Sequence, residues 1–242
     1  MNTLAHRLIV PVLLFGVLYA SPAAAGPWTP ERFGYYAQTS VGLAGAEKPS
    51  ELDLKLYGEF GLLDSLGVIA SLPVQFDLER DAGPDAKRVR FDPTVGLRWR
   101  FIPGPLVVAA QLDVKLPVSG SAEVTPQLLA GSGIGVLNGF FQVGAGYRFR
   151  YGSADEVVAT ADVGVWPTRR LLVIANAAFR IQTGPEPGAK LAEREVMLGG
   201  QVVWRTGPKV DLGIDVRTTI PTASVPAGVS GTFYVAFRGG RT

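Results

Sequence analysis

The chain has no cysteine, and its single histidine is His6. Without thiols there is no disulfide staple, no thiolate metal site and no Cys nucleophile. Beyond residue 6, Ser–His catalysis lacks its usual base and imidazole metal sites disappear. No cofactor, no metal and no enzymatic activity are therefore expected. An excess of one charge is also missing: 23 Lys and Arg stand against 21 Asp and Glu. Nucleic-acid binding shows as a clustered basic surface, so no nucleic-acid partner is expected. After residue 25 no segment reaches the roughly 18 uninterrupted apolar residues of a membrane-spanning helix.

The first 25 residues read as a targeting segment. His6 and Arg7 precede an apolar stretch, Leu8 to Ala20, and Ala23-Ala24-Ala25 supplies the small residues of a cleavage site before Gly26. This makes residues 1–25 a signal peptide and residues 26–242 one domain. Removing the segment takes away one arginine and no acid, so the rest is close to neutral.

What is abundant is period-two alternation. In Arg88 to Phe101, Val89, Phe91, Val95, Leu97, Trp99 and Phe101 share one face, while Arg88, Arg90, Asp92, Arg98 and Arg100 share the other. As one strand of 14 residues it exceeds the usual globular strand. The pattern recurs over Ser50 to Leu62, Gly67 to Glu79, Leu106 to Leu116, Phe140 to Tyr151, Glu156 to Trp166, Arg170 to Gln182, Glu195 to Arg205 and Val210 to Ile220. Weaker members are Phe33 to Leu43, Gln127 to Val136 and Val229 to Phe237. Connections alternate between short turns, such as Asp64-Ser65 and Pro103-Gly104-Pro105, and mostly longer polar loops, such as Arg80 to Lys87 and Gly184 to Ala192. The glycine-rich run Gly131 to Gly135 lacks the spacing and following helix of a phosphate loop and reads as a thin strand.

These features predict an all-β fold, a single antiparallel up-and-down transmembrane β-barrel of about 12 strands. Short turns on one side, longer loops on the other and an even strand number are the habit of bacterial outer-membrane barrels. The apolar face is expected to meet lipid. Trp99, Trp166 and Trp204 fall at turn-side strand ends and Trp28 precedes the first strand, as in an interfacial aromatic belt. Turning the Arg98 face outward would bring arginines to lipid at roughly 2–4 kcal/mol each near the midplane, so the register is strongly specified.

The polar face then lines a lumen. Its charged residues are expected to be Glu51, Asp53, Lys55, Glu59, Asp77, Glu79, Arg88, Arg90, Arg98, Arg100, Asp113, Lys115, Arg148, Arg150, Asp162, Arg180, Asp215 and Arg217. Two arrangements are open: acid and base on adjoining sectors that set up a transverse field, or direct pairing, favoured for Glu51 with Arg90. Asp211 and Asp215 point the same way and form a candidate carboxylate pair. Ile69, Val107, Leu172, Ile174 and Val203 are inward but apolar, mostly toward the turn side.

Pro93 to Gly120, PTVGLRWRFIPGPLVVAAQLDVKLPVSG, resembles a strand–turn–strand element of the outer-membrane transporter barrels named after the meta-pathway of phenol degradation. Gly144-Ala145-Gly146-Tyr147-Arg148-Phe149 and the closing Phe233-Tyr234-Val235-Ala236-Phe237 are similar too. Such barrels commonly end on an aromatic residue, whereas here Arg238 to Thr242 follow Phe237. The resemblance implies an outer-membrane channel or transporter for small, apolar or aromatic solutes, and it assigns no binding residues. The expected partners are the lipid bilayer, a small-molecule solute and the barrel-insertion machinery. The main alternative is a closed structural barrel without transport. A lipid-acting barrel enzyme and a soluble ligand-binding barrel are less consistent with the missing histidine and the apolar exterior.

Overall fold

The computed structural model describes residues 30–45, 50–78, 89–118, 121–184, 193–222 and 225–240. The signal-peptide expectation, Trp28, Glu79 and Arg88 fall outside the described residues. The strands are β1 (Tyr35–Gly45), β2 (Glu51–Leu63), β3 (Leu66–Asp77), β4 (Val89–Phe91), β5 (Thr94–Ile102), β6 (Leu106–Lys115), β7 (Glu123–Ile134), β8 (Gly139–Arg150), β9 (Glu156–Val165), β10 (Leu171–Gln182), β11 (Arg194–Arg205), β12 (Val210–Ile220) and β13 (Gly228–Gly239). Apart from β4 and β5, which do not pair with each other, each pairs antiparallel with its sequence neighbours, and β1 pairs with both β2 and β13. The sheet therefore closes on itself. Both β4 and β5 pair with β3 and are two halves of one barrel strand, which makes twelve strands around the ring.

That break corrects the single strand expected from Arg88 to Phe101. Pro93 has no backbone N–H to give the ladder, and the pairing lapses at Asp92-Pro93. The Pro93 carbonyl still accepts from Leu116 N at 2.8 Å, which keeps the two halves in line. The segment expected from Gln127 starts earlier, at Glu123, and runs through Pro126. Only the pairing to β8 is interrupted, between Val124–Phe149 and Gln127–Gly146. The glycine-rich run behaves as a strand through Ile134 and then turns in a short 3-10 element, Gly135–Leu137, with Asn138 left-handed at φ 44°. At the start, Phe33 is left-handed at φ 63°, so β1 begins two residues later than the alternation suggested. At the end, Arg238 and Gly239 extend β13 beyond Phe237, and Arg238 N donates to Lys209 O at 3.0 Å.

The faces follow the expected parity. Val95, Leu97, Trp99 and Phe101 are exposed on the exterior, while Arg98 between them is buried. Exterior aromatics gather toward both ends. Trp99 packs on Phe101 with centroids 5.7 Å apart near the turns, and Tyr147 on Phe149 at 4.8 Å near the loops. Trp204 is exposed on the same exterior. Trp166 is a correction to the aromatic belt: it packs against an interior cluster. Its even number places it with Asp162 and Gly164 on the inner face of β9, so the parity of the strand outweighs its position at a strand end.

Val143 lies near the middle of β8 with an exposed exterior side chain. Val143→Arg is expected to destabilise the folded barrel in lipid vesicles by about 2–4 kcal/mol in urea titrations. Thr160→Arg, on the inner face of β9, is expected to cost clearly less. Equal losses would contradict the assigned faces.

Candidate functional site: the lining of the bore

The candidate site is the inner face, because there the sequence places its polar side chains in a confined space. Closure brings residues far apart in sequence onto neighbouring strands. The most connected group runs across β2, β5, β6 and β7. Tyr57 donates to Glu59. Glu59 pairs with Arg98 at 3.2 Å, and Arg98 Nε donates to Gln111 Oε1 at 2.8 Å. Gln111 and Gln127 both donate to Asp113 Oδ2, at 2.7 and 2.9 Å. Chains of this kind polarise one another and fix side-chain positions.

Toward the loops, a second group joins β6, β7, β8 and β9. Lys115 pairs with Glu123. Arg148 reaches Glu156 at 2.8 Å and Glu123 at 3.6 Å, and Arg150 reaches Glu156 at 2.8 Å. Arg180 pairs with Glu195 across β10 and β11. Arg90 and Glu51 meet at 2.9 Å, as favoured from sequence. Asp77 sits opposite Glu51 in the β2–β3 register. Asp53 and Lys55 continue the inner face of β2, with the Lys55 ammonium 5.5 Å from the Tyr57 ring centroid. Gln142 donates to Asp162, while Asp215 and Arg217 pair along β12 at 2.6 Å. Arg100 faces inward at the turn-side rim and donates to the Asp64 carbonyl.

Direct pairing is thus the dominant arrangement, and the separated sectors of acid and base are not formed among the described residues. Asp211 and Asp215 do not work as a carboxylate pair. Asp215 is occupied by Arg217, and Asp211 by Arg238 at 3.2 Å and Arg205 at 3.7 Å. Glu123, Glu156, Glu195, Arg205 and Arg238 were absent from the expected lumen set. Their signal was present, since they continue the inner parity at strand ends, but Glu123 and Arg238 lay just beyond strand limits drawn too short.

The turn-side half is different. Phe140, Leu172, Val203, Tyr234 and Ala236 form one buried cluster on the inner face, with Tyr36, Trp166 and Ile174 packed against it. Ile69 and Val107 are buried elsewhere on the same face. The inward apolar residues expected from sequence are confirmed, but the largest members, Phe140 and Tyr234, were missed. Arg205 stacks on Trp166 with its guanidinium carbon 4.4 Å from the ring centroid. A separate concavity bounded by Leu97, Trp99, Leu112, Leu128 and Ala145 lies on the exterior and is not part of the bore.

A closed twelve-stranded barrel with an apolar outside and an ion-paired inside is the architecture of outer-membrane porins. Solved structures agree at the level of fold. The NanC porin superimposes with a TM-score of 0.66 at 9% identity, over 83% of this chain and 98% of that one. The KdgM porin gives 0.63 at 6%, over 84% and 98%. The COG4313 outer membrane channel from Pseudomonas putida F1 gives 0.64 at 8%, over 90% and 99%. No protein-family model matches the chain, and no curated relative matches it in sequence.

Arg98 is 9% exposed and depends on Glu59 and Gln111 for its partners. Glu59→Gln is expected to lower barrel stability by about 1–3 kcal/mol, because it leaves a buried cation short of its counter-charge. Adding Arg98→Gln is expected to recover part of that loss. Additive losses in a double-mutant urea titration would show that the pair is not coupled.

Proposed function

We propose that this protein is a passive channel of the bacterial outer membrane for small solutes carrying an apolar or aromatic portion, and that it is not an enzyme. The observation that carries this reading is the change of wall along one bore. The ion-paired polar lining of the loop side gives way, over β8 to β13, to an aromatic and aliphatic lining toward the turns, with Arg205, Asp211 and Arg238 beyond it. A polar mouth can wet and admit a solute, and an apolar lower wall favours solutes with a surface to bury. The fold shared with porins and a channel supports passage of solutes, and the motifs similar to the phenol meta-pathway barrels support an aromatic preference. The absence of histidine after residue 6 supports a non-catalytic interior. The reading includes export through a signal peptide over residues 1–25 and placement by the barrel-insertion machinery.

A second reading, a closed structural barrel, draws on the near-complete burial of the turn-side cluster. The two readings separate in reconstituted membranes. The purified barrel, shown folded by its altered gel mobility before boiling, is expected to support swelling of liposomes in small solutes and steps of current in planar bilayers. A folded barrel that passes neither solute nor ions would leave the structural reading standing.

A further inference from the structure

The turn-side cluster is built in a way that simple space filling does not require. Phe140 on β8 pairs in register with Gly164 on β9, and Gly213 on β12 pairs with Tyr234 on β13. In both places the aromatic ring lies flat across the glycine. A Cβ on Gly164 would stand 2.2 Å from the Phe140 ring, and one on Gly213 would stand 2.1 Å from the Tyr234 ring. Real Cβ atoms do not approach so closely, so each ring occupies a notch that only glycine leaves open. Laid flat, Phe140 spans β9 toward Leu172, and Tyr234 spans β12 toward Val203. Leu172 and Val203 are themselves register partners.

The result is a continuous apolar band over six neighbouring strands, extended by Tyr36 on β1. Its exposure is very low for a bore wall: 2% for Phe140, 4% for Tyr234 and 1% for Ala236. On β2 the inner side of Gly61 is covered by the backbone of Pro30 and Glu31, whose carbonyls a Cβ there would strike. Below the band, Arg205 is held over Trp166 and tied to Asp211, which Arg238 also holds.

We propose that this band is the permeability-limiting constriction of the channel. Phe140 and Tyr234, seated over Gly164 and Gly213, set its width and make it favour solutes with an aromatic or alkyl surface over hydrated ions. The proposal rests on the channel reading and deepens it. An apolar stretch of wall opposes ions because along those six strands they must shed water with no polar group to replace it. A flat aromatic ring sheds water at little cost and gains contact with the apolar wall that Phe140 and Tyr234 hold together.

The test uses the whole barrel reconstituted in planar bilayers and liposomes, as wild type, Phe140→Ala, Tyr234→Ala and the double variant. Altered gel mobility before boiling confirms folding of each. The probes are potassium chloride for conductance, and L-phenylalanine against L-serine for swelling, since these share charges and differ chiefly in the ring. Wild-type protein is expected to show low conductance and to admit phenylalanine at least as fast as the smaller serine. Truncating either ring is expected to raise conductance about two-fold or more and to remove the preference. Gly164→Ala works in the opposite sense: it displaces the Phe140 ring toward the bore axis and is expected to lower conductance. If the wild type conducts and the ring variants match it in conductance and preference, the constriction lies elsewhere and the channel reading stands. If neither wild type nor ring variants pass any probe, the channel reading falls, and this proposal with it.

Discussion

The structure depends on closure of the sheet. Once β1 pairs with both β2 and β13, no strand has a free edge, and every strand offers one side to the exterior and one to the bore. In a hydrocarbon surrounding, no water is present to satisfy an open edge, so closure is what makes a spanning sheet admissible at all. Closure also couples the strands. Slipping one strand by a residue would turn its whole inner set outward and disturb the ladders on both sides. The apolar exterior and the charged interior are therefore two consequences of one register.

The same coupling explains how so many charges share a confined space. Their partners stand on the same or nearby strands: Glu59 with Arg98, Glu156 with Arg148 and Arg150, Glu195 with Arg180, Asp211 with Arg205 and Arg238. Removing charges from water costs several kcal/mol per ion, and pairing repays this only with good geometry. Such pairs are weak evidence of net stability. What they do is penalise any other register, which would separate each guanidinium from its carboxylate.

Much of this was legible in the sequence, because alternation reports face directly. The inner and outer sets follow from odd and even numbering, and the parity of β9 places Trp166 inside even though its position at a strand end suggested otherwise. Proline was harder to read. Pro93 splits a strand, whereas β7 runs through Pro126 in unbroken register with β6 and loses only its pairing to β8. The aromatic–glycine notches were not legible at all. Phe140 and Gly164 stand on the two strands of one hairpin, as do Gly213 and Tyr234, and their meeting depends on a register set by the connecting loop. Alternation within one strand carries no information about that offset.

The order of the two linings along the bore has a physical consequence of its own. On the proposed channel reading, a solute arriving from the loop side would first meet guanidinium and carboxylate groups already engaged with one another, and would gain orientation there more than affinity. Farther in, the wall is aromatic and aliphatic, and the cost of passage becomes the cost of losing water. That cost is large for an ion, moderate for a polar solute and small for an aromatic face. On the proposed reading, a conduit so arranged would rank solutes by how readily they dehydrate, and would need no dedicated binding residue if the ranking is set at the band that Phe140 and Tyr234 build.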